Sequence, residues 1–227
     1  MLSGHIVELY EYEKPASFGY QGHGGRKPSC ESASDREEEN RRLTTRRARE
    51  NIRRLSLMNF SKHSKFITLT FEDNLTDVKE ANGKFKAFIR KLRTYKDDFK
   101  YISVIEFQER GAVHYHMISN LPYIKNSDLR KIWGHGFVKI NDIKHVDNIG
   151  AYMVKYMLKD VSDKRLCGLK SYLTSRGLTR SQELRGDVAE KLFEVYKLDK
   201  IEKVFTNSYE SEHHGQITYS EFNSQRK

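Results

Sequence analysis

Long apolar runs are missing from this chain. No stretch approaches the roughly 18 consecutive apolar residues that a membrane-spanning helix needs, and Met1-Leu2-Ser3-Gly4-His5 lacks the apolar core of a signal peptide. The expectation is a soluble, cytoplasmic protein with no membrane partner. Cysteine is nearly absent as well. Cys30 and Cys167 lie far apart and neither has a Cys-x-x-Cys partner, which excludes a disulfide framework and a zinc finger. A Gly-x-x-x-x-Gly-Lys-Ser/Thr loop is also absent, so no nucleotide cofactor is expected. Apolar residues make up only 37% of the 227, against 32% charged, so part of the chain is expected to lie outside any packed core. The length suits one domain of ordinary size with polar flanks.

What the chain does have is positive charge: 41 Lys+Arg against 31 Asp+Glu, a formal +10. Contacts of Lys and Arg to phosphates are rewarded by counterion release, so the excess argues for a polyanion partner. The charge is concentrated early. Residues 1–33 mix tyrosine and glycine with polar residues and read as a loosely ordered arm. From Ser34 to Phe60 no Gly or Pro occurs, Ser34 and Glu37 fit a capping box, and a basic helix over 34–60 is expected. Its centre carries Arg41, Arg42, Arg46, Arg47, Arg49, Arg53 and Arg54, a candidate DNA-contacting set. A merely solvated helix face is the competing reading.

The middle of the chain alternates strand and helix signals. Lys65–Phe71 is β-branched and aromatic, and Leu75, Val78, Phe85, Phe88, Ile89 and Leu92 recur at helical spacing. Tyr101–Gln108 and Ala112–Ser119 flank Glu109-Arg110-Gly111, a three-residue loop whose glycine fits a left-handed bulge. Helices at Ser127–Trp133 and Asn148–Lys159 bracket a strand at Gly136–Ile140. The order predicts an α+β fold with a mainly antiparallel central sheet and helices on one face. Beyond residue 180, a polar extension over 181–227 has a possible hairpin at Val204–Tyr209 and Ile217–Phe222.

The central hairpin fixes a register. If Gln108 faces Ala112, Glu106 faces His114, and His116 lies two residues further along the same face. Ile105, Phe107, Val113, Tyr115 and Met117 then form the opposite, core face. Two imidazoles and a carboxylate are a candidate set of ligands for a divalent cation such as Mg²⁺ or Mn²⁺. His135 and His145 lack such register, and His213-His214 reads as an exposed pair in a turn. Downstream, Tyr152 and Tyr156 are one helical turn apart, with Lys155 and Lys159 three residues after each. A phenol with a pKa near 10 needs an electropositive setting to act as a nucleophile, and this segment offers one. The bland alternative is an amphipathic helix with half-buried tyrosines and solvated lysines.

The ordered set Phe66-Ile67-Thr68-Leu69-Thr70, Glu106 with His114-Tyr115-His116, and Tyr152-x-x-Lys155-Tyr156-x-x-Lys159 resembles the three motifs of HUH endonucleases. It is most similar to the rolling-circle replication initiators of bacteriophages and plasmids, including the filamentous-phage gene II-type proteins. The resemblance spans about residues 45 to 180, and two connecting segments, Trp133-Gly134-His135-Gly136-Phe137 and Ser175-Arg176-Gly177-Leu178, share it. It implies an RRM-like (ferredoxin-like) HUH catalytic domain over 61–180. It implies a metal held by Glu106, His114 and His116, with Tyr152 or Tyr156 attacking single-stranded origin DNA to leave a 5′-phosphotyrosine and a free 3′-hydroxyl. Lys155 and Lys159 would steady the phosphate. Without a helicase domain in this chain, a separate host helicase and polymerase are the implied partners. An HUH transposase or relaxase, or a non-catalytic RRM-like single-strand-binding module, are the alternatives.

Overall fold

The protein is described by a computed structural model that covers residues 1–14, 33–157, 164–166, 169–170, 172–212 and 214–226, with the side chains of 33–38, 156, 157, 164 and 199 left out. Cys30, Cys167, His213, Lys159, the Tyr156 side chain and the Ser34/Glu37 pair lie outside the described residues. In chain order the elements are β1 (Leu2–Ser3), β2 (Ile6–Tyr12), α1 (Ala33–Asn59), β3 (Lys65–Thr70), α2 (Val78–Arg93), β4 (Tyr101–Phe107) and β5 (Val113–Ser119). They continue with α3 (Asn126–Trp133), β6 (Val138–Asp142), α4 (Ile149–Met157), β7 (Tyr172–Thr174), α5 (Asp187–Val195), β8 (Lys203–Ser211) and β9 (Gly215–Asn223). Among the described residues no helix is long and apolar enough to cross a membrane.

The fold is α+β, as the strand and helix signals predict, and it has two antiparallel sheets where one central sheet is expected. Contacts divide the chain into two units, Glu37–Thr179 and Met1–Arg36 with Arg180–Lys227.

In the Glu37–Thr179 unit the strand order is β6-β3-β5-β4-β7. Alternation sends Ile67, Leu69, Ile105, Phe107, Val113, Tyr115 and Met117 to one face, where α2 and α3 cover them. Helix α2 forms because its apolar residues recur every three or four positions and Asp77 caps it, accepting from the backbone N–H groups of Lys79 and Glu80 at 2.7 and 3.0 Å. Phe85 stacks on Tyr115 with ring centroids 4.5 Å apart, and the buried Tyr115 hydroxyl donates to Asn82 Oδ1 at 2.8 Å. Burial raises that phenol's pKa well above its ordinary value.

The helices are not confined to that face. Phe66, Ile102, Val104 and Ile118 point to the other side and pack with Ala48 and Ile52 of α1 and Ile149 and Met153 of α4. The cause is visible in β4, where Tyr101 through Ile105 is apolar apart from Ser103 and every one is buried. Such a run needs cover on both faces. Helix α1 supplies it with Thr45, Ala48, Ile52 and Ser56, buried at helical spacing. Gly150 lets α4 come close: a Cβ there would sit 2.6 Å from the Arg53 carbonyl oxygen and 2.8 Å from Arg53 Cγ.

In the other unit the order is β1-β2-β9-β8. The first residues, expected within a loose arm, are strands instead. All seven residues of β2 pair with β9, from Ile6↔Asn223 to Tyr12↔Ile217, and β1 pairs with Ile6 and Val7 on its other edge. The C-terminal hairpin joins Lys203–Ser211 to Gly215–Asn223, and Phe193 of α5 packs edge-on to Phe222.

Candidate metal and nucleophile site

The site is built on the β4–β5 hairpin. Gly111 takes a φ of 86°, Gly111 N donates to Gln108 O at 2.7 Å and Gln108 N to Ala112 O at 2.9 Å, closing the three-residue loop. That closure sets Glu106 opposite His114 and Val104 opposite His116. On the other side of β5, β3 pairs Thr68 with His116 and Thr70 with His114. Phe66, Thr68, Thr70, Glu106, His114 and His116 therefore share one face, at the end of the apolar patch covered by α1 and α4.

Glu106, His114 and His116 converge: one ligand atom from each lies within 4.8 Å of the others. His116 Nε2 hydrogen-bonds Glu106 Oε2, and His114 Nδ1 lies 4.0 Å from the same oxygen. The opposite nitrogens meet β3, with Thr68 Oγ1 3.2 Å from His116 Nδ1 and Thr70 Oγ1 3.3 Å from His114 Nε2. Burial, and then the His116 charge, push the His114 imidazole down to about 4, with Glu106 opposing. A neutral imidazole is the form that binds metal. Two imidazoles and a carboxylate, with one donor atom of each within 4.8 Å of the others, fit a divalent cation of mixed N/O preference.

Helix α4 approaches the same face. Asn148 Oδ1 accepts from Ala151 N at 2.9 Å and starts the helix. The Tyr152 ring meets Phe66 edge-on at 5.1 Å, and Phe66 stacks on His116 at 5.7 Å with rings 18° apart. Tyr152 is thus half-buried with the Phe66 ring between it and His116, and Lys155 is exposed one turn on. Of the arginines on α1, Arg42, Arg46 and Arg47 are exposed, and Arg41, Arg49, Arg53 and Arg54 are half-buried. Arg46 and Arg54 both approach Glu50, at 3.6 and 4.0 Å.

Among the described residues no other histidine joins this group. His135 sits among Phe71 and Trp133, with its pKa lowered by burial and by Lys84 and Lys91. His145 is exposed, and His214 meets Tyr12 edge-on in the other unit. Reasoning from sequence left Thr68 and Thr70 without a role. Their alternate spacing matches His114 and His116, but the match acquires meaning only once β3 is known to pair with β5.

Residues 64–161 match a family model described as replication-associated protein, of the ORF2 or gene II protein type. The matched segment runs from β3 through α4 and contains Glu106, His114, His116, Tyr152, Lys155, Tyr156 and Lys159. The Phasyl DNA replicon protein arp of Escherichia coli is 37% identical over 67 residues, which are 29% of this chain and 21% of that protein. The match thus spans about a fifth of the length of that curated relative. No solved structure matches. The family match bears out the resemblance to phage- and plasmid-type replication-associated proteins that the three motifs carry.

Proposed function

We propose that this chain initiates rolling-circle DNA replication by a metal-dependent, site-specific nick in single-stranded origin DNA. The observation that carries the reading is the convergence of His116 Nε2, His114 Nδ1 and the Glu106 carboxylate, two rings from Tyr152. The likeness of residues 64–161 to replication-associated proteins supports it.

Glu106, His114 and His116 would hold Mg²⁺ or Mn²⁺, which when bound would supply Lewis-acid polarisation of the scissile phosphate. Tyr152 or Tyr156 attacks the phosphorus in line. A Tyr Oη–P bond forms, the P–O3′ bond breaks, the phenol loses its proton to solvent and the 3′-oxygen gains one. The products are a 5′-phosphotyrosine and a 3′-hydroxyl able to prime synthesis. One phosphodiester is exchanged for another, so rejoining is the same step reversed. Lys155 and Lys159 offset charge on the phosphate as it reacts. The α1 arginines bind flanking phosphates without reading sequence. Unwinding and synthesis fall to a separate helicase and polymerase in the cytoplasm of a bacterial host.

The test is to incubate the purified chain with labelled single-stranded oligonucleotides from the intergenic DNA beside its gene, in Mn²⁺ or EDTA. An SDS-resistant adduct in Mn²⁺, lost in His114→Ala and in Tyr152→Phe/Tyr156→Phe, is expected. Tight binding with no adduct across the whole intergenic set favours the non-catalytic, single-strand-binding alternative.

A further inference from the structure

We infer that Thr68 and Thr70 of β3 are positioning residues for the two imidazoles, holding His116 with Nε2 and His114 with Nδ1 toward one ion beside Glu106. The inference rests on the metal reading above and deepens it. It stands on register and hydrogen bonding: each threonine is directly opposite its histidine, and each hydroxyl lies 3.2 to 3.3 Å from the ring nitrogen that faces away from Glu106.

An imidazole ring turned over about its terminal torsion exchanges nitrogen and carbon positions. A ligand set made of one Nδ1 and one Nε2 therefore depends on something that tells the two faces apart. Here that is a hydroxyl on a β-branched residue with a restricted χ1, placed by the pleat on the same face as the ring it serves. A threonine hydroxyl both donates and accepts. It can donate to His116 Nδ1 while Nε2 carries the proton shared with Glu106, and accept from Nδ1–H once an ion takes Nε2. Phe66 adds a second restraint on His116, stacking on its ring from the same strand. The alternation Phe66-x-Thr68-x-Thr70 is then a supporting row for the site, while Ile67 and Leu69 pack into the core on the reverse face.

Removing such an outer partner typically weakens metal binding by about 10- to 100-fold. The test is Mn²⁺ titration calorimetry on the full chain, with thermal melts alongside. Thr68→Val and Thr70→Val preserve shape and suit a strand, so each is expected to melt near wild type yet bind Mn²⁺ about 10-fold more weakly or worse. Thr68→Ser and Thr70→Ser, which keep the hydroxyl, are expected to bind close to wild type. Unchanged affinity in both valine variants overturns the inference. So does equal weakening by serine and valine, which would trace the effect to disturbed packing and not to the hydroxyl. Wild type and His114→Ala giving the same Mn²⁺ heat overturns the metal site itself, and that result is distinct from a site that binds Mn²⁺ without help from the threonines.

Discussion

The two units of this chain differ in charge far more than in architecture. The Glu37–Thr179 unit has 29 Lys+Arg against 17 Asp+Glu, a formal +12, whereas the residues of the other unit have 12 against 14, a formal −2. Both are antiparallel sheets with a buried or half-buried carboxylate facing a polar residue across two strands. In the second unit Glu8 and Glu221 face one another, and the Tyr219 hydroxyl reaches both, at 3.2 and 3.1 Å. In the first, Glu106 faces His114 with His116 beside it. Imidazoles offer lone pairs to a cation and a phenol offers a proton to a carboxylate, so similar sheets carry different chemistry. The basic excess of the whole chain belongs to the unit that holds the candidate site. That is where phosphate contact is expected.

The largest effects should come from breaking the site itself. Glu106→Gln, His114→Ala, and the double variant Tyr152→Phe/Tyr156→Phe should each reduce the metal-dependent DNA adduct to background on denaturing gels. Glu8→Gln should leave the adduct yield within about twofold, because the account gives that carboxylate no chemical role. A loss in Glu8→Gln equal to that in Glu106→Gln would erase the distinction between the units.

A smaller, structural effect concerns α4. Gly150→Ala puts a Cβ against the Arg53 backbone, and overpacking of that kind costs roughly 1–3 kcal/mol. Denaturant unfolding should show the loss, and adduct yield should fall while Mn²⁺ affinity holds, since the proposed metal ligands lie on the sheet.

Acid should also act on the two units unequally. The folded pKa of His114, about 4, lies below its unfolded value near 6.5. Between those values the unfolded chain binds the proton first, so stability is full above about 6.5 and declines as pH falls toward 4, by up to about 3 kcal/mol. Urea melts in EDTA across this range should show the slope, and His114→Gln should remove most of it.

The smallest effect is on salt dependence. Replacing Arg46, Arg47 and Arg49 by Gln should flatten the log–log salt slope of single-strand binding by about 2, at about 0.7 per lost phosphate contact. The same change at Lys197, Lys200 and Lys203 in the other unit should leave the slope unaltered. A slope that follows the second set instead would place the phosphate contacts in the wrong unit.

Local chemistry explains which parts were legible in the sequence. The Glu106–His114 register follows from a three-residue loop ending in Gly111, and the loop alone determines it. Helix α2 announces itself through Val78, Phe85, Phe88, Ile89 and Leu92 at helical spacing. What escaped was non-local. The pairing of β2 with β9 joins residues from opposite ends of the chain, and Glu8 and Glu11 within β2 disguise its alternation as a polar arm. The covering of the second sheet face by α1 escaped for a related reason: among the described residues its buried positions are Thr45, Ala48, Ile52, Ser56 and Leu57, two of them polar and all set amid arginines. Thr68 and Thr70 were visible as a motif, but their work is done on a neighbouring strand.

The most direct test of the central claim is to map the residue that carries DNA. The chain is allowed to react with its origin oligonucleotide in Mn²⁺, trypsin-digested and analysed by mass spectrometry for a nucleotide adduct. The account predicts a 5′-phosphate on Tyr152 or Tyr156, present in Mn²⁺ and absent in EDTA. An adduct on any other residue, or one that forms equally in EDTA, would contradict it.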